Sequence, residues 1–183
     1  MITTVDDPRE LRRLVQYRDA VTEPGQVYLV RRSWAERHGW VAVPWEGGGG
    51  ARFDQQNAGW LTRACQRFGW YHCYAVSIRD DANLRVLELP ITAESLVALS
   101  DPNMMWMDFV LLSPEPGFAV LCDEMFKTYA GPRKFVEMAI DDTLEVAREE
   151  FDQYFVIEPD WSYEEERALY RRVSEYYRGF VER

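Results

Sequence analysis

The chain has 183 residues, of which 47% are hydrophobic and 28% charged, and its formal net charge is −10. This length suits one domain with a single core, and the composition lies far from that of disordered chains. The excess of acids repels the phosphate backbones of DNA and RNA, which argues against a nucleic-acid partner. No secretory signal opens the sequence and no run of about 18 apolar residues is long enough to span a membrane. These features predict a soluble, cytoplasmic protein of one domain, residues 1–183.

The N-terminal quarter predicts one helix followed by two short strands. Asp7 can cap a helix that carries a proline at its first position and apolar residues at three- and four-residue spacing. Strands are predicted at Val27–Val30 and Trp40–Val43, with Pro44 ending the second. The other face of the helix carries a basic strip, interpreted as solvated or internally paired, formed by Arg9, Arg12, Arg13 and Arg18.

Four consecutive glycines, Gly47–Gly50, form the most flexible segment of the sequence. A phosphate-binding loop requires a later glycine followed by Lys and then Ser or Thr at a helix start. Here Ala51, Arg52 and Phe53 follow the glycines. The pattern therefore predicts a mobile loop and not a nucleotide site.

The middle of the chain predicts a second helix and a series of strands. Asp54 caps a helix that ends at Gly69, and Trp70–Ile78 is apolar on both alternating faces, as expected of a central strand. A turn is predicted at Asp80–Asn83 and a short helix at Thr92–Leu99. Further strands are predicted at Leu84–Leu89, Trp106–Leu112, Phe118–Cys122 and Met125–Tyr129. Short turns between successive strands favour antiparallel pairing, so we predict an α+β fold with a mixed or mainly antiparallel sheet covered by helices.

Two helices are predicted at the C-terminal end. Apolar residues recur at three- and four-residue spacing from Pro132 to Phe155, which predicts one long helix. Ser162 and Glu165 have capping-box spacing ahead of a second apolar stripe that continues to Phe180.

Charge is strongly segregated in this C-terminal part. Between Asp141 and Glu166 there are 11 acids and one base, Arg148. An acidic helix face is commonly a solubilising surface, but a segregated one can also steer a basic protein partner. Trp and Tyr anchor many interfaces, and aromatic residues make up 14% of this chain, although core packing also explains such rings. The candidate partner-binding residues are Asp141, Glu145, Glu149 and Asp152, placed on one face of the long helix, and Trp161, Tyr163 and Glu164.

No catalytic, metal or cofactor motif is readable in the sequence. His38 is predicted at a helix end, and His72 in the middle of an apolar strand. The three cysteines, an odd number without metal-ligand spacing, predict buried, reduced thiols. Cys122 precedes Asp123 and Glu124, whose carboxylates would raise the thiol pKa and oppose its use as a nucleophile. No catalytic, metal-binding or cofactor-binding residue is therefore predicted.

One segment resembles a known class of proteins. Phe118–Ala139, FAVLCDEMFKTYAGPRKFVEMA, resembles a strand, turn, strand and Gly-Pro helix start of small cytosolic bacterial proteins, some of them immunity proteins encoded beside polymorphic toxins. The resemblance covers about an eighth of the chain and defines no binding residue. It implies a stoichiometric inhibitor that masks a toxin domain, with acidic residues matching a basic, nuclease-like partner.

Three functional hypotheses follow from the sequence. The first is a non-enzymatic protein-binding module of immunity type that binds a basic protein through its acidic C-terminal face. The second is a small-ligand-binding protein or an enzyme without a motif, with a pocket between sheet and helices lined by Trp60, Trp70, Tyr74 and Trp106. The third is a homo-oligomer that buries part of its aromatic set between copies.

Overall fold

The structure is a computed structural model that describes residues 1–45, 52–78, 84–101, 108–157 and 164–181. The helices are α1 (Pro8–Val21), α2 (Arg32–His38), α3 (Gln55–Arg67), α4 (Ala93–Ala98), α5 (Arg133–Ile140), α6 (Leu144–Phe151) and α7 (Glu164–Val181). The strands are β1 (Thr3–Thr4), β2 (Thr22–Glu23), β3 (Gln26–Val30), β4 (Val41–Trp45), β5 (His72–Ser77), β6 (Val86–Pro90), β7 (Phe109–Leu112), β8 (Ala119–Cys122) and β9 (Lys127–Gly131). A π-helical segment, Asp152–Ile157, continues α6 directly.

Seven strands form one antiparallel sheet in the order β1, β6, β5, β7, β8, β9 and β4. Strands β7, β8 and β9 follow one another as a meander, while β2 and β3 form a separate hairpin. The predicted α+β fold with an antiparallel sheet covered by helices is confirmed. Strand β5 lies between β6 and β7, with Val76 opposite both Val86 and Val110, so it is central as its two apolar faces predict.

Helices cover both faces of this sheet and enclose two cores. Side chains alternate along each strand, so Ala75 of β5 belongs to one core and Val76 to the other. The first core lies under α3, α4 and α5, and the second under α1, α7 and the β2–β3 hairpin. Helix α6 lies along the edge strand β4, with Leu144 in the first core and Phe151 in the second.

The predicted helix boundaries hold where the sequence supplies caps. The carboxylates of Asp7 and Asp54 and the hydroxyl of Thr92 each accept a bond from a backbone N–H in the first turn of α1, α3 and α4. Gly69 follows α3 with φ 80°, a conformation that favours glycine. Of the predicted basic strip, Arg13 pairs with Glu10 of the same helix.

Two predictions about single residues need correction. Strand β4 does not stop before Pro44 but continues to Trp45, with Pro44 opposite Thr128. This is tolerated because β4 is the last strand of the sheet, where a missing N–H costs no ladder bond. His72 is exposed at the first residue of β5 and not enclosed in the middle of a strand. Strands β1 and β2 were not predicted. The bounds of helix α2 were not predicted either, but His38, predicted at a helix end, is its last residue. Gly47–Gly50 and the Asp80–Asn83 turn lie outside the described residues.

The prediction of one long helix from Pro132 to Phe155 is wrong. Helix α5 ends at Asp141, whose φ of 59° is left-handed, and α6 begins after Thr143. The Thr143 hydroxyl accepts the N–H of Val146 at 3.3 Å, and Asp142 accepts the N–H of Thr143 at 2.7 Å. The C-terminal part therefore holds three helices and the π-helical segment, where two helices were predicted.

Two tyrosines of α7 bind one side of β3. The Tyr177 hydroxyl accepts the N–H of Val30 at 2.7 Å and donates to the carbonyl oxygen of Tyr28 at 2.9 Å. The Tyr176 hydroxyl lies 2.8 Å from the Val30 carbonyl oxygen. These bonds hold the β2–β3 hairpin against α7.

Of the helices in the described ranges, none combines the length and apolar composition needed to cross a membrane.

Candidate protein-binding surface

Helix α6 and the π-helical segment share one buried side. Leu144, Ala147, Phe151 and Phe155 are buried there at spacings of three and four residues. The Phe126 ring, which follows the β8–β9 turn, lies 5.2 Å from the Phe151 ring and 5.9 Å from the Phe155 ring, measured between centroids. This packing fixes which side of the helix faces solvent.

The opposite side carries exposed apolar residues among acids. Val146 is 37% exposed, Tyr154 47% and Ile157 65%. We use "the α6 surface" for the exposed set Glu145, Val146, Glu149, Glu150, Tyr154 and Ile157. A helix facing only solvent is expected to be polar on that side, so three large apolar side chains among three glutamates require an explanation.

The end of this surface is formed by π-helical backbone. The segment Asp152–Ile157 includes both Tyr154 and Ile157. Such segments are rare and often coincide with functional sites. Within this segment Phe155 is buried and Val156 packs against the second core, whereas Tyr154 and Ile157 are exposed to solvent.

Two of the four acids predicted to share a helix face are held by arginines of this chain. The Asp141 carboxylate lies 4.0 Å from the Arg63 guanidinium, with both side chains more than half exposed. Arg133 donates to the Glu145 carboxylate and also, at 2.9 Å, to Glu137. The hydrogen bond from Arg133 lowers the pKa of Glu145 below its usual value. These acids are therefore partly neutralised within the molecule.

The other two predicted acids differ from each other. Glu149 is exposed, and within the described residues no hydrogen bond or ion pair engages its carboxylate or that of its neighbour Glu150. Asp152 is only partly exposed, and one of its carboxylate oxygens is buried without a hydrogen-bond partner in the described ranges. The predicted single row of four acids is wrong, because the helix break displaces Asp141 and Asp152 turns toward the protein.

The remaining predicted residues lie around the start of α7. Trp161 and Tyr163 fall outside the described residues. Glu164 is exposed at the first residue of α7, and its carboxylate lies 3.8 Å from the Arg171 guanidinium. This long, exposed ion pair contributes little to stability.

The β8–β9 turn adds a further apolar residue and a further acid. Met125 is 37% exposed and Glu124 is exposed, and both precede Phe126, which packs under α6. Met125, like Val146, Glu150, Tyr154 and Ile157, was not predicted as a site residue. The sequence held a usable signal, because Val146, Tyr154 and Ile157 lie off the buried stripe of α6 and its continuation.

The rings predicted to line a pocket do not come together. Trp60 and Trp70 pack against the first core, whereas Tyr74 belongs to the second, so the sheet separates them. Trp106 lies outside the described residues. Trp70 packs instead against Phe118 and neighbouring rings of the first core. The predicted aromatic pocket is not formed by these residues.

The three cysteines are buried free thiols, as predicted. Burial raises the pKa of Cys122 to about 12, and it also raises the pKa of Cys65 and Cys73. Neutral thiols are poor nucleophiles and poor metal ligands. In the part of the chain that the structure describes, no three His, Cys, Asp or Glu side chains are grouped to hold a metal ion.

No protein-family model matches this chain, and neither does any curated protein or solved structure. The segment that resembles immunity-type proteins, Phe118–Ala139, forms β8, β9 and α5. Its functional implication remains a prediction. The α6 surface is therefore the main basis for inferring a function.

Proposed function

We propose that this chain is a non-enzymatic protein-binding module of immunity type, which binds a basic partner protein and masks it. The α6 surface forms the centre of the interface. The observation that carries this proposal is the exposure of Val146, Tyr154 and Ile157 beside the exposed carboxylates of Glu149 and Glu150.

The apolar residues supply the contact. Isolated exposed apolar side chains are common on proteins, but grouped ones typically mark interaction sites. Tyr154 is an effective anchor because it buries a large area and loses little side-chain entropy. Ile157 adds an aliphatic contact one turn further on, and Met125 extends the apolar character to the β8–β9 turn.

The charges select the partner. Glu149 and Glu150 have no basic partner in the described residues, and the whole chain carries a net charge of −10. Such a field accelerates the encounter with a basic protein and disfavours acidic ones. A second copy bound through this surface with two-fold symmetry would bring the acidic patch of one copy against that of the other. Like-charge repulsion therefore favours a foreign partner over a homo-oligomer formed through this surface.

The immunity-type role adds stoichiometric masking to this binding. It rests on the resemblance of Phe118–Ala139 and on the fit between an acidic inhibitor and a basic, nuclease-like toxin domain. Binding alone performs this function, so no catalytic residue is required. Cytoplasmic placement belongs to the same proposal, since such an inhibitor protects the cell that makes it.

The test is affinity capture from cells that carry the gene, with the protein encoded beside it as the first candidate partner. The variant Tyr154→Ser with Ile157→Ser removes the apolar contact, and Glu149→Lys with Glu150→Lys reverses the charge. Tyr71→Ser is the matched control, because Tyr71 is 65% exposed but lies outside the α6 surface. Circular dichroism checks that each variant folds.

We expect the wild type and the Tyr71 control to retain a basic protein in a one-to-one complex. The Tyr154→Ser, Ile157→Ser variant should lose it, and the Glu149→Lys, Glu150→Lys variant should capture clearly less of it. Retention by both variants, or loss in the Tyr71 control alone, contradicts the α6 surface as the interface. Failure of the folded wild type to bind any basic protein contradicts the proposed function itself.

A further inference from the structure

A cleft of about 450 Å³ opens between strand β3 and helix α7. The β2–β3 hairpin supplies Gln26, Tyr28 and Leu29, and α7 supplies Leu169, Arg172 and Val173. Tyr176 closes one wall. The volume lies in the range of about 300–1,000 Å³ that is typical of small-molecule sites.

The cleft combines an apolar floor with a polar rim. Leu29 and Val173 are buried, and Leu169 is partly buried and packs against the same core. Gln26 and Arg172 are exposed, and Tyr28 is partly exposed. An apolar ligand body therefore finds a floor, and a polar group finds donors at the rim.

The donors at the rim are available. Throughout the described ranges, no hydrogen bond or ion pair engages the Arg172 guanidinium. Among the described residues, the hydrogen bonds of Tyr28 are made by its carbonyl oxygen and none involves its hydroxyl. The Tyr176 hydroxyl, by contrast, already lies 2.8 Å from the Val30 carbonyl oxygen and 3.0 Å from a Glu23 carboxylate oxygen.

From this arrangement we propose that the cleft between β3 and α7 binds a carboxylate carried on an apolar body, with Arg172 as the primary anchor. An arginine guanidinium matches a carboxylate with two parallel hydrogen bonds. The Tyr28 hydroxyl and the Gln26 amide supply further donors. Of the lining residues that the structure describes, none is acidic, although the chain as a whole has ten more negative than positive charges.

A second cleft, of about 210 Å³, shows that an arginine beside a cleft does not by itself provide an anchor for a carboxylate. It is lined by Arg32 and Glu36, so an acid already stands beside the base. Arg32 donates to the Tyr176 carbonyl oxygen at 2.7 Å and lies 5.0 Å from the Phe180 ring centroid. Its guanidinium holds α7 in place, whereas that of Arg172 remains available.

The carboxylate has two chemical sources, a free organic acid or the carboxyl end of a peptide chain. Both present a carboxylate on an apolar body, and it is this shared chemistry that the cleft would recognise. The site is independent of the proposed protein-binding function, because no residue of the α6 surface lines the cleft. A negative result at either site leaves the other unaffected.

The experiment measures binding to the intact protein by calorimetry and ligand-observed NMR. The probes are 3-phenylpropionate and N-acetyl-leucyl-leucine, each compared with its amide, which keeps the shape and removes the charge. Arg172→Gln tests the anchor. Arg171→Gln is the matched control, since Arg171 is the adjacent exposed arginine, lies outside the lining of the cleft and pairs with Glu164.

We expect at least one acid to bind saturably, and Arg172→Gln and the amide each to weaken binding about tenfold or more. Arg171→Gln should bind as the wild type does. Preference for 3-phenylpropionate identifies a free acid as the source, and preference for the dipeptide identifies a chain end. The proposal is overturned if neither acid binds up to about 10 mM, if the amides bind equally well, or if Arg172→Gln has no effect in a folded protein.

Discussion

On one side of β3, the Tyr177 hydroxyl makes the backbone hydrogen bonds that a neighbouring strand would otherwise make. It bonds to both Val30 and Tyr28, and the side chain is fully buried. Burial raises the pKa of Tyr177 well above the usual tyrosine value. The sequence predicts Tyr177 only as a member of an apolar stripe, because spacing reports which side of a helix is buried but not which backbone group a hydroxyl meets.

We predict that Tyr177→Phe lowers the free energy of unfolding by about 1–3 kcal/mol, because it leaves the buried Val30 N–H without an acceptor. Urea denaturation measures the change. Tyr71→Phe is the control, since Tyr71 is 65% exposed and its hydroxyl can bond to water. Equal stability of Tyr177→Phe and wild type would show that water replaces the hydroxyl.

The buried thiols and phenols predict a loss of stability at alkaline pH. Burial raises the pKa of Cys122 to about 12 and also raises that of Tyr177. Unfolded Cys and Tyr titrate near about 8.5 and 10, so above these values the unfolded state releases protons that the folded state keeps. The contribution of these groups to the free energy of unfolding is complete below about pH 8.5. It falls as the pH rises toward the pKa values of the folded state. Urea denaturation at pH 7 to about 10.5 should show this decline, and a flat profile would contradict it.

At the scale of elements, local signals predicted most of the fold. Capping residues such as Asp54, and the apolar runs joined by short polar turns in the meander, place α3 and β7–β9 correctly to within a few residues. The break between α5 and α6 was missed because Ile140 and Leu144, which flank it, are four residues apart. This is the spacing of a continuous helix, so the apolar stripe stays in phase across the break.

The undetected helix break and the use of local patterns alone also explain what was missed at the candidate site. The acids were placed by helical spacing, and the spacing assumed an unbroken helix, so Glu145 and Glu149 were placed correctly and Asp141 and Asp152 were not. The ion pair of Glu145 with Arg133 was not predictable, since it depends on how α5 and α6 turn relative to each other. Short elements such as β1, with two residues, carry too little pattern to detect.

The effect of Thr143→Ala on the free energy of unfolding has opposite signs for a broken and for a continuous helix. As the N-cap of α6, Thr143 accepts the Val146 N–H, so Thr143→Ala should cost about 1 kcal/mol of the free energy of unfolding. In a continuous helix the same change would stabilise by several tenths of a kcal/mol, because alanine is the better helix former. Glu150→Ala, at an exposed position within α6, should stay within about 0.5 kcal/mol of wild type. A stabilised Thr143→Ala variant would contradict the break.

At the scale of the whole molecule, several arginines are used internally. Arg18 is 8% exposed and donates to the Ser77 carbonyl oxygen at 2.8 Å, and Arg31 donates to the Asp19 carbonyl oxygen at 2.7 Å. Arg32 is bound to α7 in the same way. Positive charge is thus drawn toward backbone carbonyls while Glu149 and Glu150 face solvent.

This charge distribution predicts how the partner associates. Glu149→Lys with Glu150→Lys should slow association and flatten the salt dependence of the on-rate, because steering charges act mainly on encounter. Stability should barely change. Asp6→Lys with Glu115→Lys is the control, as it alters the net charge equally at exposed sites outside the α6 surface. Stopped-flow kinetics at low and physiological salt measure both. Equal slowing by the two double variants would show that net charge, and not the α6 surface, governs the encounter.

The bonds between β3 and α7 also set an order of events during synthesis. Val30 and Tyr177 are 147 residues apart in the chain. At about 5–20 residues per second, the ribosome makes the tyrosine roughly 7–30 s after the strand it binds. Until then the backbone groups of β3 that α7 later covers have no partner from that helix, and an open strand edge can pair with other chains. The nascent β2–β3 hairpin therefore keeps an open strand edge until α7 is made, and we expect a product truncated before α7 to be prone to aggregation.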